Sequence, residues 1–327
     1  MIGEKLGKYT IIEKVGSGSM GTVYKAENPE DGRLVAIKLV RAKVLYDVER
    51  RERFLQGLLT ATTVRHPGIL PILEIGDDED DFFVITPFLR GHTLSQLLHG
   101  QPLDWRFALT VAASVCEAVA AVHAANGAHR ALKPSNIWLQ PDGGIVLTDC
   151  CMARFTEIEG EITPGHADIR HDSADTIIPM GALAYMSPEQ VRGERVDYRT
   201  DIFSLGVVLY EMLTGRHPFE ARNSFSRISA IVEAEPLTLA SRKLALPLAF
   251  EGILKRALAK KAAERYQDVK QLLNDLRGID EPGPLVAPEA AATGSLSRNR
   301  RSSARFWVPA IILILTLTAA AYYFLAP

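Results

Sequence analysis

The order of the hydrophobic patterns divides this chain into a β-rich part and a later helical part, which limits the folds open to it. The runs YTIIEKVGSG and TVYKAENPEDGRLVAIKLV are rich in strand-forming residues, and NPEDG breaks the second as a turn. Residues 46–64 carry a helical period, and PILEIGDDEDDFFVITPF predicts two strands around an acidic turn at 77–81. Residues 9–90 are therefore predicted to be strands with one helix.

After Gly91 the pattern becomes helical. The stretch WRFALTVAASVCEAVAAVHAANG predicts one long apolar helix that Gly127 ends. IWLQPDGGIVL predicts a short hairpin whose turn is Asp142-Gly143-Gly144, and residues 198–276 are predicted to be mostly helical.

Composition excludes several classes of protein. Hydrophobic residues make up 47% and charged residues 23%, which favours a globular core over disorder. The net charge of −2 gives no reason to expect nucleic acid as a partner. The start MIGEKLGKYT lacks the apolar region of a secretory signal, and three cysteines without a CxxC pair favour a reducing compartment.

The end of the sequence differs from the rest. Residues 279–305 are rich in Pro, Ala, Ser, Gly and Arg and predict a flexible basic linker. The uncharged run FWVPAIILILTLTAAAYYFLA, residues 306–326, would span about 30 Å as a helix, the thickness of the bilayer hydrocarbon. Arginines at 298, 300, 301 and 305 place the preceding chain in the cytoplasm, with only Pro327 beyond the membrane. The alternative is a buried core helix.

Five short motifs occur in an order that chance does not explain. They are the glycine pattern from Gly16 to Val23, then Val35-Ala36-Ile37-Lys38, then HRALKPSN at 129–136, then Asp149, then Ser187-Pro188-Glu189. Glycines of the first motif allow backbone N–H groups to approach phosphates, but that pattern alone is weak evidence.

Together with AYMSPEQ, DIFSLGVVLYEMLTGRHPF and ERYQDV, these motifs make residues 9 to about 277 resemble a bacterial-type Ser/Thr protein kinase domain. The resemblance implies an α+β, two-lobed protein kinase-like fold, and the uncharged run at 306–326 adds a single C-terminal transmembrane helix. The β-rich N-lobe would be residues 9–90, the helical C-lobe residues 91–278, and ATP would bind between them.

The resemblance also assigns roles by position. Lys38 would contact the α- and β-phosphates, Lys133 would approach the γ-phosphate, and Asn136 and Asp149 would hold Mg²⁺. Glu189 would pair with Arg265, and Asp201 would brace the catalytic loop. The residues assigned to nucleotide are Val15, Gly16, Gly18, Gly21, Val23, Ala36, Lys38, Thr86, Phe88, Leu89, Asn136 and Asp149, with Pro87 in the same hinge.

Four positions depart from the family pattern. Ala131 replaces the aspartate that accepts the proton of the substrate hydroxyl, so no catalytic residue set is intact and Lys133 is what remains of it. Gly57 stands where a glutamate would pair with Lys38, and Glu52 lies on another face of the predicted helix. Cys151 replaces a phenylalanine and Ala182 a threonine, which we interpret as loss of selection for phosphate transfer.

The sequence therefore predicts a pseudokinase on the inner face of the cytoplasmic membrane, which binds ATP and acts by binding a protein partner, with another kinase as a candidate. One alternative is a slow but active Ser/Thr kinase, and another is a membrane adaptor whose cleft is empty. Two local features also have alternatives. Cys150-Cys151 is a redox pair or two small buried side chains, and the segment containing Thr156, Thr163, Ser173 and Thr176 is phosphorylated or unmodified.

Overall fold

The β-rich part of the chain forms an antiparallel sheet with one helix. The computed structural model describes residues 2–18, 21–40, 48–78, 81–152, 180–242, 244 and 246–279. Its first elements are β1 (Lys5–Leu6), β2 (Tyr9–Ser17), β3 (Gly21–Glu27), β4 (Leu34–Val40), α1 (Val48–Thr63), β5 (Glu74–Asp78) and β6 (Asp81–Pro87). The six strands are ordered β1-β2-β3-β4-β6-β5. The strands and helix predicted for this part are confirmed.

Strand β4 shows how the sheet separates its core from the cleft. Its side chains alternate between two faces, so Val35 and Ile37 are buried with Ala26 and Ile85 in the core of the sheet. Lys38, the residue after Ile37, points to the opposite face of the sheet and lines a cavity. The apolar alternation of VAIK thereby fixes the direction of the lysine.

Helix α1 packs against the sheet through residues one turn apart. Phe54 and Leu58 are buried with Phe82, Val84 and Met152. The Phe54 and Phe82 rings meet edge to face, with centroids 5.6 Å apart, which suits the charge distribution of aromatic rings. These contacts hold α1 beside both the sheet and the segment that follows residue 149.

The later part of the chain is mostly helical, as predicted. Its strands are β7 (His92–Thr93), β8 (Ile137–Leu139) and β9 (Ile145–Leu147), which form a second sheet in that order. Its helices are α2 (Leu94–Leu97), α3 (Trp105–Ala124), α4 (Met180–Leu183), α5 (Pro188–Val191), α6 (Arg199–Thr214), α7 (Ser224–Glu233), α8 (Ala249–Ala257) and α9 (Val269–Arg277). The β8–β9 hairpin turns at Gly143, whose φ of 86° suits glycine, so the predicted turn is confirmed.

The end of α3 differs from the prediction. Its start is capped by Asp104, whose carboxylate accepts hydrogen bonds from the N–H groups of Arg106 (2.9 Å) and Phe107 (3.2 Å). The helix ends at Ala124, and Asn126 rather than Gly127 takes the left-handed conformation, with φ of 56°. Asparagine tolerates that conformation better than most residues with a Cβ, so the prediction that Gly127 ends the helix was wrong.

Helix α3 is also long and apolar enough to cross a membrane, alone among the described helices. Its burial in the helical core, where it contacts α6 and α9, accounts for this composition. The predicted transmembrane helix at 306–326 and its linker, apart from Ile279, lie outside the residues that the structure describes.

A buried ion pair joins α5 to the segment just before α9. The guanidinium of Arg265 is 1% exposed and donates to both carboxylate oxygens of Glu189, at 2.6 and 2.7 Å. It also donates to the backbone carbonyls of Ala259, Lys260 and Arg199. The predicted pairing of Glu189 with Arg265 is confirmed, and its donors are satisfied as a buried charge requires.

Candidate functional site

A cavity of about 410 Å³ lies between the first sheet and the helical part. This volume is typical of small-molecule sites. Its walls contain all twelve residues that the sequence assigned to nucleotide, together with Pro87 and Lys133. The structure therefore brings together residues that are up to 134 positions apart, from Val15 to Asp149.

Part of the cavity wall was not predicted from the sequence. The added residues are mostly apolar: Ala61, Leu70, Ile72, Val84, Trp138 and Met152, with Ser17, Ser135, Thr148 and Cys150 among the others. Strand alternation around Val84 and the position of Trp138 two residues after Asn136 are the signals that would have found two of them. Leu70 and Ile72 belong to an irregular segment with no such periodicity.

The glycines of the β2–β3 hairpin have different structural reasons. A Cβ at Gly21 would collide with the backbone carbonyl of Leu39, so the packing of β3 on β4 demands glycine there. A Cβ at Gly16 or Gly18 would meet nothing within 4 Å. The fold itself does not require those two glycines, which leave open space over the cavity.

Lys38 forms an ion pair with Asp149, across 111 positions of sequence. Their side chains are 19% and 17% exposed. Burial raises the pKa of Asp149, but the nearby charge of Lys38, its hydrogen bond, and Lys133 together hold that pKa below the usual value. Asp149 is therefore a carboxylate at neutral pH, and it fills the role of partner to Lys38.

Gly57 explains why α1 provides no partner for Lys38 at the expected position. It is buried on α1, and a Cβ there would collide with the carbonyl oxygen of Cys151 and lie 3.3 Å from its carbonyl carbon. Glu52 is exposed on another face of the helix, as predicted. The position expected to carry an acid therefore has no space for any side chain.

The catalytic-loop segment keeps its shape without an acid at 131. The N–H of half-buried Ala131 donates to Nδ1 of His129 at 3.3 Å, and its carbonyl accepts from the Asn136 amide at 2.9 Å. Arg130 has a φ of 63°, a conformation that persists only where neighbours hold it. Gln190 is one such neighbour, because its side-chain amide donates to the Arg130 carbonyl at 3.1 Å.

Asp201 is the second restraint on this segment. Its carboxylate accepts from the backbone N–H groups of His129 (2.8 Å) and Arg130 (2.7 Å), and it pairs with Nε2 of His123 at 2.9 Å. The predicted bracing role of Asp201 is confirmed. Because both of its oxygens are occupied and its side chain is buried, it is not available to a substrate hydroxyl.

The described wall of the cavity holds two ammonium groups and one carboxylate: Lys38, Lys133 and Asp149. Burial lowers the pKa of Lys133, and the charge of Asp149 partly offsets this. Among the described residues that line the cavity, no second carboxylate lies near Ala131. The arrangement can neutralise anionic groups, but it offers no free base.

Cys150 and Cys151 conform to the interpretation as small buried side chains. Both are buried, with their sulfurs 3.6 Å apart. The hydrogen bond to Cys151 and burial raise the pKa of Cys150 well above its usual value, so this thiol stays protonated and unreactive. Cys151 has a φ of 59°, and a Cβ at Gly127 would lie 3.1 Å from its sulfur.

Two further predictions concern Ala182 and the candidate phosphorylation sites. Ala182, which replaces the family's threonine, lies in α4. Thr156, Thr163, Ser173 and Thr176 lie outside the described residues.

A six-stranded sheet with one helix, a helical part, and a cavity between them that carries the Lys38–Asp149 pair define the two-lobed protein kinase class. The comparisons agree with this. The chain belongs to the protein kinase domain family, which it matches over residues 9–276.

Two curated relatives illustrate the likeness. The chain is 31% identical to the serine/threonine-protein kinase PrkC of Bacillus subtilis over 279 residues, 85% of this chain and 41% of PrkC. It is 30% identical to the serine/threonine-protein kinase PknB of Mycobacterium tuberculosis over 309 residues, 90% of this chain and 48% of PknB. The chain thus spans less than half the length of these relatives.

A solved structure supports the fold. The match to the crystal structure of the Mycobacterium tuberculosis PknI kinase domain covers 86% of this chain and 99% of the PknI chain. The TM-score is 0.67 and the sequence identity is 21%. At that identity, the likeness concerns the fold alone.

Proposed function

We propose that this protein is a membrane-tethered pseudokinase, which binds ATP between its lobes and signals through a protein partner instead of transferring phosphate. The observation that carries the proposal is the charge arrangement around Ala131. Among the described residues that line the cavity, Asp149 is the single carboxylate, and it is paired with Lys38.

The loss of the base has a defined cost. A methyl group at Ala131 can neither accept a proton nor orient a hydroxyl. General-base catalysis typically contributes about 10²–10⁴ in rate, and the loose transition state of phosphate transfer lowers the share that a base must supply. Gly57 adds to this loss, because the α1 position expected to carry the carboxylate that orients Lys38 has no space for a side chain.

Nucleotide binding is supported by the residues that remain. The proposed contacts are the hinge Pro87–Phe88–Leu89 with Thr86 for the base, the β2–β3 glycines, Lys38 and Lys133 for the phosphates, and the apolar walls for the ring. The amide of Asn136 donates to Ala131, which leaves its side-chain oxygen without a hydrogen bond among the described residues. That oxygen and the Asp149 carboxylate are the kinds of ligand that Mg²⁺ prefers, so these two residues would hold the ion. A bound Mg²⁺ would supply positive charge to the phosphates.

Attachment to the membrane rests on residues 306–326, which are uncharged, and on the arginines at 298, 300, 301 and 305, which favour the cytoplasmic side. We propose four divisions: the N-lobe at 9–90, the C-lobe at 91–278, the linker at 279–305 and the transmembrane helix at 306–326. A cytoplasmic protein, with another protein kinase as the favoured class, is the proposed partner.

A phosphate-transfer assay tests the proposal. The full chain in detergent is incubated with ATP labelled at the γ-phosphate, alone and with a generic Ser/Thr substrate, beside the Lys38→Ala variant. Circular dichroism checks that both proteins are folded. We expect equal incorporation in the two proteins, and incorporation well above the variant would refute the proposal.

The retained lysines, Asn136 and Asp149 favour a second candidate, a slow but active Ser/Thr kinase. Mass spectrometry after incubation with ATP separates the two candidates. Phosphate on Thr163, Ser173 or Thr176 in the parent chain, absent from Lys38→Ala, would establish the slow kinase. Absence of phosphate from all three in both proteins would support the pseudokinase.

A further inference from the structure

The described lining of the cavity carries a net positive charge. Lys38 and Lys133 contribute two positive charges and Asp149 one negative charge, while Cys150 is a protonated thiol. Two positions expected to carry acids, Gly57 and Ala131, carry none. The excess of positive charge therefore belongs to the described lining itself, before any ligand or ion enters.

This charge balance lowers the affinity that Asn136 and Asp149 would give a divalent cation. The affinity of a site for Mg²⁺ or Ca²⁺ follows the number and charge of its oxygen ligands. Here the part of the lining that the structure describes offers one carboxylate, and that carboxylate already neutralises Lys38. An ion beside Asp149 would compete with the ammonium of Lys38 and would be repelled by Lys133.

The same balance favours phosphate groups. The ammonium of Lys38 has three donors, so it can keep its bond to Asp149 and donate to a phosphate as well. Lys133 supplies the second positive charge, and the glycines Gly16 and Gly18 leave open space over the cavity. Two lysines thus provide the positive charge that a metal ion otherwise brings to a polyphosphate.

We propose that this cavity binds the phosphates of ATP and ADP without a divalent metal, through Lys38 and Lys133. This inference rests on the proposed binding of nucleotide and concerns the same site. It adds that Mg²⁺ is dispensable for the affinity, even though Asn136 and Asp149 have the oxygens to bind the ion.

Calorimetric titration of the full chain in detergent provides the test. ATP, ADP and adenosine are titrated once in EDTA and once in excess MgCl₂. We expect the Kd for ATP to agree within about threefold between the two conditions, a difference below 1 kcal/mol. Adenosine is expected to bind more weakly than ATP in EDTA, since it lacks the groups that the lysines contact.

Different results would overturn metal-independent binding and nucleotide binding itself. A loss of ATP affinity of more than about tenfold in EDTA would overturn metal-independent binding and leave nucleotide binding intact. No binding of ATP in either condition would overturn both. Equal binding of adenosine and ATP in EDTA would also overturn the proposed role of the lysines.

A matched pair of variants tests the charge argument directly. Ala131→Asp adds one negative charge on the residue whose carbonyl accepts from Asn136, a residue of the lining, and Ala131→Asn has nearly the same shape without that charge. We expect Ala131→Asp to weaken ATP binding in EDTA by roughly tenfold and to regain affinity with MgCl₂. Ala131→Asn is expected to bind as the parent chain does. Equal behaviour of the two variants would contradict the electrostatic cause.

Discussion

The contact between α1 and the backbone of Cys151 makes Gly57 the position at which a single methyl group tests the site most sharply. In a helix interior, alanine is favoured over glycine by about 1 kcal/mol, so Gly57→Ala should stabilise an isolated helix. In this structure the added Cβ would collide with the carbonyl oxygen of Cys151. The obstacle is backbone, so a change of side-chain rotamer cannot relieve it.

The size of the effect follows from two opposing contributions. An overpacked core typically costs about 1–3 kcal/mol, against the gain in helix propensity. Gly252, on α8, provides the control, because it is exposed and a Cβ there would meet nothing within 4 Å. Gly252→Ala is expected to raise the free energy of unfolding by up to about 1 kcal/mol. Gly57→Ala should therefore be less stable than Gly252→Ala by about 1–3 kcal/mol.

Equilibrium unfolding in urea, followed by circular dichroism on the full chain, measures both variants under the same conditions. The collision lies two residues from Asp149, so Gly57→Ala is also expected to displace the partner of Lys38 and to change ATP affinity. If both variants were stabilised equally, the close approach of α1 to Cys151 would be refuted. If only the helix moved, stability would fall while ATP affinity stayed at the parent value.

Three further predictions concern the helical part. Glu189→Gln leaves the buried guanidinium of Arg265 without its charged partner, and we expect the free energy of unfolding in urea to fall by about 3–5 kcal/mol; a loss below about 1 kcal/mol would contradict this. Asp201→Asn removes a charged acceptor from two backbone N–H groups, and we expect a loss of about 1–3 kcal/mol with faster amide hydrogen exchange at His129 and Arg130. Unchanged exchange would rule out the bracing role. Burial and nearby Arg227 lower the pKa of His217 from 6.5 to about 4, and its Nδ1 accepts from the N–H of Phe219. The unfolded chain therefore binds a proton at His217 more readily than the native protein does. As the pH falls from 6.5 to about 4, this difference should lower the free energy of unfolding by on the order of 3 kcal/mol. His217→Gln should flatten this part of the stability curve, and a curve parallel to the parent would disprove the assignment.

Much of the fold follows from local signals in the sequence. Alternation in β4 predicts both its burial and the direction of Lys38, and the short turn at Gly143 predicts the hairpin around it. The pairing of Glu189 with Arg265 also follows from sequence, but by resemblance, since nothing local connects residues 76 positions apart.

The partner of Lys38 could not be predicted in this way. Gly57 indicates from the sequence that α1 carries no acid at the expected position, but the choice of Asp149 depends on how closely β4 approaches the segment after β9. The lack of space at Gly57 is likewise a tertiary property, because it arises from the carbonyl of Cys151 and not from the helix. The end of α3 was misplaced for a smaller reason: Asn126 and Gly127 both suit a left-handed residue, and local preference does not choose between them.

The packing of Cys151 between Gly57 and Gly127 has a consequence for the history of such a chain. A side chain at Gly57 requires that the Cys151 backbone first moves away, and one at Gly127 requires that the Cys151 sulfur moves. A return of glutamate at residue 57 therefore requires an earlier change that moves the Cys151 backbone, because the substitution alone would create a collision. Even where selection again favoured phosphate transfer, a protein with this packing would regain the glutamate only together with a compensating substitution.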